Sequence, residues 1–461
     1  MKILIIQLAK MGDLIQSFPL IKALQKSVAK PDIYVLHSEI FSDVLSLIDC
    51  VKPLPVNLDL LAVHEDGQFL LKDSDYAEQM FERLKGFDYV INLNGTALAK
   101  EIIMRVQSPH KKGFASGNEH DEKWLKYIIS FMKNRELASF NLVDIFLKLN
   151  PFDNAYLPEK ESGVEAKKQI ALQLGSRNSK RHPLMSDFAK IANRLIENGY
   201  LIVLTGVKSE LALYEEFIPL IGQREKIINK IGQTSLQDLH HILDQSEYLI
   251  SSDTGTMHLA SLTNCRVFAL FFGSAYPYET LAYKADTLVY FPDHAQFSCY
   301  PCAELTPCPN KFICKAFDAG IVTDWILHKK ENKALYKAVF DPLGQYLVPL
   351  FRHTPKDYQL YALLWRIASA RYFLQKELSL ADYQQYFFFT DEQLAKASQL
   401  IQREMSIANL TKEKGININE LSDNYQFLSP LLIFNLFWQV FAEFSAIFKS
   451  QLPLRVDHPE R

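Results

Sequence analysis

Residues 247–272, EYLISSDTGTMHLASLTNCRVFALFF, constrain most strongly what this chain can fold into. An apolar strand at Tyr248–Ile250 runs into Ser251, Ser252, Asp253, Thr254 and Gly255. A helix carrying Met257, Leu259, Ala260 and Leu262 follows, and a second apolar strand closes the unit at Arg266–Phe272. Strands alternating with helices imply a parallel sheet covered on both faces. Small and polar residues between a strand and a helix expose backbone N–H groups, and the helix dipole adds positive charge there, so this turn suits a diphosphate. Ser, Thr and Asp are favoured caps anywhere, and an ordinary capped helix is the competing reading.

The same alternation runs through the first 330 residues. Ile3–Leu8 reads as a strand buried on both faces, followed by the loop Ala9–Asp13 and an amphipathic helix from about Leu14 to Val28. Ile33–Leu36 and Tyr89–Leu93 read as further strands. A second unit starts near residue 168, with strands at Gln169–Leu174, Tyr200–Leu204, Lys226–Asn229, Tyr248–Ile250 and Val267–Phe272. Its helices are predicted near 185–198, 209–220, 235–244 and 254–263. The polar stretch Pro151–Ser162 reads as the linker. The resulting domains are 1–155, 165–330 and a helical extension over 331–461. In parallel sheets ligands sit at the carboxyl ends of strands. Asp13, Asn94 and Thr96 fall at such ends in the first unit, and Gly175, Ser176, Lys180 and Arg181 in the second.

With 461 residues and a hydrophobic content of 48%, the chain can bury sizeable cores, and a formal net charge of −3 speaks against a nucleic-acid binder. The N-terminal MKILIIQLAKMGD lacks the apolar length and cleavage site of a signal peptide. No uninterrupted apolar stretch reaches ~18 residues. The expectation is a cytoplasmic protein.

Five segments in order then carry a resemblance: KILIIQLAKMGDLIQSFPLIKAL, LQLGSRNSKRHPLMSDFAKIA, VLTGVKSELALYEE, IGQTSLQDLHHIL and ISSDTGTMHLAS. Through them residues 1 to about 330 resemble glycosyltransferase family 9, the ADP-heptose:lipopolysaccharide heptosyltransferase family. The resemblance implies the GT-B fold, in which two doubly wound Rossmann-like domains face each other across a cleft. It also implies inverting transfer of heptose from ADP-heptose to a hydroxyl of a lipopolysaccharide core, another glycan, a lipid-linked glycan or a protein.

By position, Asp13 matches the family's general base, and Ser176 and Lys180 match contacts to the donor phosphates. Asp253, Thr254, Gly255 and Thr256 match the second phosphate and sugar loop, Thr234 a position near the base, and Glu210 a ribose contact. Arg181 adds charge to the anion site, and His258 braces the loop. One departure is that Lys180-Arg181-His182-Pro183 lacks the family's usual Trp. The chemistry is consistent with these residues: a carboxylate activates the acceptor hydroxyl, and positive groups steady the departing diphosphate. For Asp13 the competing reading is an N-cap of the first helix. No catalytic metal is required, and Asp73–Asp75 sits in a polar connector with no strand before it.

Four of six cysteines, Cys299, Cys302, Cys308 and Cys314, fall in a loop over 297–316 with spacing C-x2-C-x5-C-x5-C. In a cytosolic chain such a cluster favours one structural zinc or iron over disulfides, against the plain reading of four reduced thiols. Similar clusters occur in the resembled family, and in its autotransporter heptosyltransferases such a cluster holds iron.

Beyond residue 330, DYQLYALLWRIASARYFLQKEL and TDEQLAKASQLIQREMSIANL show helical spacing. In Ser429–Phe448, the most apolar segment, Asn435, Gln439 and Glu443 form one polar stripe. A bundle core or homo-oligomer contact is the simpler reading, and a surface that meets the acceptor or the inner face of the membrane, as a peripheral contact, the sharper one. Two other classes compete with the transferase: a non-catalytic nucleotide-binding or assembly protein on the same fold, and a sugar-nucleotide epimerase.

Overall fold

The computed structural model describes residues 1–61, 63–65, 68–70, 73–118, 121, 124–125, 135, 138–152, 168–297, 299–302, 308, 310–374 and 378–395. Met1–Phe388 gather into one unit. It contains two α/β layers, each built on a largely parallel sheet.

The first sheet grows from the apolar runs. β1 (Lys2–Ile6) lies between β2 (Asp32–Ser38) and a later strand, and β2 pairs with β3 (Val51–Val56). A separate antiparallel hairpin, β4 (Val63–Glu65) and β5 (Gln68–Leu70), precedes β6 (Tyr89–Asn92) and β7 (His110–Gly113). The order is β3-β2-β1-β6-β7, all parallel. Ile3, Leu4, Ile5 and Ile6 are fully buried, as a central strand covered on both faces must be. The helix expected from Leu14 to Val28 is instead two, α1 (Met11–Gln16) and α2 (Phe18–Ser27). The chain turns at Ser17, and Pro19 stands in the first turn of α2, where its missing N–H leaves no helical bond unmade.

The second sheet contains β8 (Gln169–Gln173), β9 (Leu201–Thr205), β10 (Ile227–Asn229), β11 (Tyr248–Ser251), β12 (Arg266–Leu270) and β13 (Leu288–Tyr290), followed by β14 (Leu335–Asp341) and β15 (Gly344–Pro349). Its order is β10-β9-β8-β11-β12-β13-β14-β15. The last two strands add antiparallel. Residues 335–349 therefore correct the expectation that everything after 330 is helical. Aromatic and β-branched residues flank the turn at Asp341–Gly344, and they bury against the sheet edge as a hairpin. The helix read from Asp357 onward is present over Asp357–Leu374. The predicted helix over 209–220 is interrupted, with 3-10 turns at Lys208–Glu210 and Ile218–Leu220 around Leu211–Phe217. Asp73 caps the helix Ser74–Arg83 by accepting from the Tyr76 N–H.

These orders explain where a ligand would bind. In each sheet the strand sequence reverses direction beside the first strand, between β1 and β6 and between β8 and β11. Loops leaving such a pair diverge to opposite faces and open a crevice at the carboxyl ends. The crevices are formed by the loops after β1 and β6 and by those after β8 and β11.

A buried polar knot ties the parts together. Arg366, with no exposed surface, donates to both carboxylate oxygens of Asp341 at 2.8 Å and to the Ser139 carbonyl. Tyr383 donates to Asp341 at 2.5 Å. Asn141 donates to Gln345 at 2.7 Å, and Tyr283 donates to Asp144 at 2.7 Å. Residues from both layers and from the helix Asp357–Leu374 meet here.

Among the described residues no helix is long and apolar enough to cross a membrane. Most of the proposed linker, the chain beyond residue 395 and the polar stripe of Ser429–Phe448 lie outside the described residues.

Candidate active site

The two crevices are joined where α1 meets the helix Gly255–Ala260. A Cβ on Gly12 would stand 2.8 Å from the His258 ring, and one on Gly255 would stand 2.2 Å from the Met11 methyl. At Gly12 an added side chain would run into the buried His258 ring, whereas the flexible Met11 side chain can move away from Gly255; the loop after β1 and the loop after β11 are held face to face.

Asp13 lies on this seam. It is not the N-cap, which is Lys10, but the third residue of α1. Its half-buried carboxylate accepts from the backbone N–H groups of Lys10 and of Asp13 itself. Burial pushes the carboxyl up, and His258, the backbone N–H groups and the Lys10 charge oppose that rise. His258 is driven down to about 4 by its burial, against the pull of Asp13, and is therefore neutral near pH 7. Its Nε2 stands 3.9 Å from Asp253 Oδ1. Behind Asp13, Gln7 Oε1 accepts from Asn94 Nδ2 at 2.6 Å and from the Ala9 N–H at 3.3 Å. Asn94 is brought into this network, with its own carbonyl oxygen buried and without a hydrogen-bond partner among the described residues. Thr96 is not: it is exposed and caps the helix Ala97–Arg105, accepting from the Ala99 N–H at 3.3 Å.

Across the seam the loop after β8 forms a short 3-10 turn at Ser179–Arg181. Asn178 caps it, accepting from the Lys180 N–H at 3.0 Å, and Ser176 donates to the Asn178 carbonyl at 2.7 Å. Lys180 is half-buried in this turn. Arg181 donates to Asp253 at 2.9 Å and to Ser274 at 2.9 Å, which links the loops after β8, β11 and β12. Burial pushes the Asp253 carboxyl up, with Arg181 pulling against it. Thr254 caps the helix Gly255–Ala260 through its side chain, and its hydroxyl also donates to Gln173 at 3.2 Å. Thr256 is buried one position into that helix. Glu210 is wedged against Gly175 and Gly206 at the ends of β8 and β9, and it accepts from the Val207 N–H at 3.2 Å. Burial pushes its carboxyl up, while the Val207 N–H and the Gln173 side chain hold it down. Thr234 is half-buried beside Ser235, which caps the helix Leu236–Asp244. The neighbouring Gly232 N–H donates to the Gly206 carbonyl at 2.8 Å, so this turn lies at the same end of the sheet as Glu210.

Sequence reasoning missed two features. Gln173 links Thr254 to Glu210, and its only signal is a polar residue near the end of an apolar strand. Arg135 grips Glu279 with two nitrogens, at 2.9 and 2.6 Å, and joins the two layers beside Asp253. No local pattern marks a pair 144 residues apart.

The four cysteines are free and gather in one neighbourhood. Burial pushes Cys302 up to about 11, and the charges of Cys299, Cys314 and Cys308 add to the rise. N–H groups of Asn310 and Phe312 point at the Cys299 and Cys308 sulfurs, each at 3.2 Å. Soft thiolates with N–H donors around them suit zinc or iron. Among the described residues no group of three or more ligands is drawn to metal-binding distance.

Two facing doubly wound layers with charged loops at their switch points define the GT-B fold of nucleotide-sugar enzymes. Residues 79–308 match Glycosyltransferase family 9 (heptosyltransferase), and the chain belongs to this family. It is 24% identical over 225 residues to a lipooligosaccharide heptosyltransferase 2 of Campylobacter jejuni, a match spanning 47% of this chain and 67% of that one. Among solved structures, a family 9 glycosyltransferase of Veillonella parvula superposes with a TM-score of 0.52 at 16% identity, covering 68% of this chain and 94% of the other. Escherichia coli heptosyltransferase WaaC with ADP-2-deoxy-2-fluoro heptose gives 0.50 at 16% identity, covering 72% and 100%.

Proposed function

We propose that this glycosyltransferase moves heptose from ADP-heptose to a hydroxyl of a lipopolysaccharide core, with inversion at the anomeric carbon. The observation that carries this reading is the seam at Gly12 and Gly255, which brings the Asp13 carboxylate to the Asp253–Thr256 loop. Asp13 takes the proton of the acceptor hydroxyl, whose oxygen attacks the anomeric carbon from the face opposite the donor diphosphate. The bond from that carbon to the diphosphate oxygen breaks, and ADP leaves with the electron pair. Ser176, Lys180 and Arg181 meet the diphosphate, Asp253, Thr254, Gly255 and Thr256 the phosphate and sugar, and Glu210 and Thr234 the nucleoside. His258, buried and neutral, packs against Gly12 and braces the loop that carries Asp13. Asn94, with its buried carbonyl oxygen, faces the acceptor side. Other glycans, lipid-linked glycans and proteins are the acceptors to compare, and the cytoplasmic face of the membrane is where a lipid-linked one would be met.

A carboxylate at the joint of both crevices favours a transferase over a non-catalytic nucleotide binder, which has no use for a base there. The nucleotide site has a direct test. Lys180→Ala should weaken ADP binding about tenfold, since a charge-assisted contact is worth roughly 1.5–3 kcal/mol. Calorimetry on variant and parent decides it, and equal affinities would remove Lys180 from the site.

Cys299, Cys302, Cys308 and Cys314 would hold one zinc or iron whose contribution is to clip the loop, while the transfer itself is carried by the residues above. Protein purified without added metal should carry close to one equivalent of zinc plus iron. Less than about a tenth of an equivalent, with all four thiols titratable in the native protein, would leave them as ordinary cysteines.

A further inference from the structure

The cysteine segment and the proposed phosphate turn are fastened to each other by one buried amine. Lys315 is only 6% exposed, and its Nζ donates to the Ser179 carbonyl at 2.6 Å. A buried ammonium group is costly unless its hydrogen bonds are made, and this one is directed at the residue before Lys180. A second tie runs through Gly273. The Cys302 N–H donates to the Gly273 carbonyl at 2.8 Å, and Gly273, at φ +61°, presses on Lys180 so closely that a Cβ would stand 2.7 Å from its carbonyl oxygen. The adjacent Ser274 hydroxyl accepts from Arg181 at 2.9 Å. Lys315 from the cysteine segment, and Gly273 and Ser274 from the loop that Cys302 holds, thus converge on the Ser179–Arg181 turn.

We propose that Lys315 is a positioning residue for the donor diphosphate, fastening the four-cysteine segment to the Ser179–Arg181 turn and so setting where Lys180 stands. The proposal rests on the reading of that turn as the diphosphate site. Lys315 touches no substrate and acts through the backbone it holds. A displacement of about 1 Å in a binding group is enough for a large loss.

The test uses the full chain, with ADP as the probe. Lys315→Met should weaken ADP binding about tenfold and raise the donor KM more than it lowers kcat, with the metal content of the cysteines as in the parent. Lys315→Arg, which keeps the charge and a donor, should recover most of the affinity. Gly273→Ala, which pushes on Lys180 from the other side, should weaken ADP similarly and carries the test if Lys315→Met fails to fold. If Lys180→Ala weakens ADP binding while Lys315→Met or, failing that, Gly273→Ala binds it as the parent does, the positioning role is overturned and the nucleotide site stands. If Lys180→Ala also binds ADP normally, the nucleotide site is wrong and this inference falls with it.

Discussion

Asp13→Asn should lower turnover by about 10²-fold or more while ADP affinity stays near that of the parent. The amide keeps the shape of the carboxylate but cannot accept the acceptor's proton. Burial raises the Asp13 carboxyl, and His258, the backbone N–H groups of Lys10 and Asp13 and the Lys10 charge only oppose that rise. The pH profile of the parent follows from the sign of the shift. The base works when deprotonated, so kcat/KM should fall as the pH drops through a value above the ordinary carboxylate figure of about 4. The same limb should vanish in the variant's residual activity. Near-normal turnover in Asp13→Asn would remove the residue from the chemistry.

The largest expected effect on stability comes from Arg366→Met. Arg366 is fully enclosed and holds both oxygens of Asp341, whose side chain is only 13% exposed. Burial alone would raise the Asp341 carboxyl, but Arg366 holds it below its usual value. Removing one member of such a pair leaves a buried charge without its partner, which costs about 3–5 kcal/mol. The Ser139 carbonyl loses a donor as well. A marked drop in the thermal midpoint should follow. Adding Asp341→Asn to the variant should restore part of the loss, because the stranded charge is then gone. A midpoint unchanged in Arg366→Met would mean that the knot does not fasten the layers.

What was legible in the sequence were features written in short windows. The buried runs at Ile3–Ile6 and Tyr248–Ser251 are continuous apolar stretches between polar turns, and they became central strands. The loops after them carry small and charged residues at the switch points, so Asp13, Lys180, Arg181 and Asp253 fell on facing loops. Long-range pairings were not legible. Arg135 meets Glu279 across 144 residues, and Arg366 meets the Ser139 carbonyl across 227. No periodicity encodes a partner at that separation. The hairpin at 335–349 carries a weak signal, an aromatic and β-branched run on each side of Pro342-Leu343-Gly344. Its second strand is buried throughout, so it lacks the alternation that marks a half-exposed strand. Thr96 shows the opposite error. A polar residue at the end of a strand reads as a ligand-facing group, yet its hydroxyl is used as a helix cap.

Nucleotide release tests the central claim most directly. The purified chain would be incubated with ADP-heptose and with a panel of other nucleotide sugars, each with and without a lipopolysaccharide core acceptor. Freed nucleotide would be quantified, and the anomeric configuration of any product read by NMR. The account predicts ADP release from ADP-heptose, accelerated by the acceptor, with a product of inverted configuration. Intact donors across the whole panel, or a product that retains the donor's configuration, would contradict it.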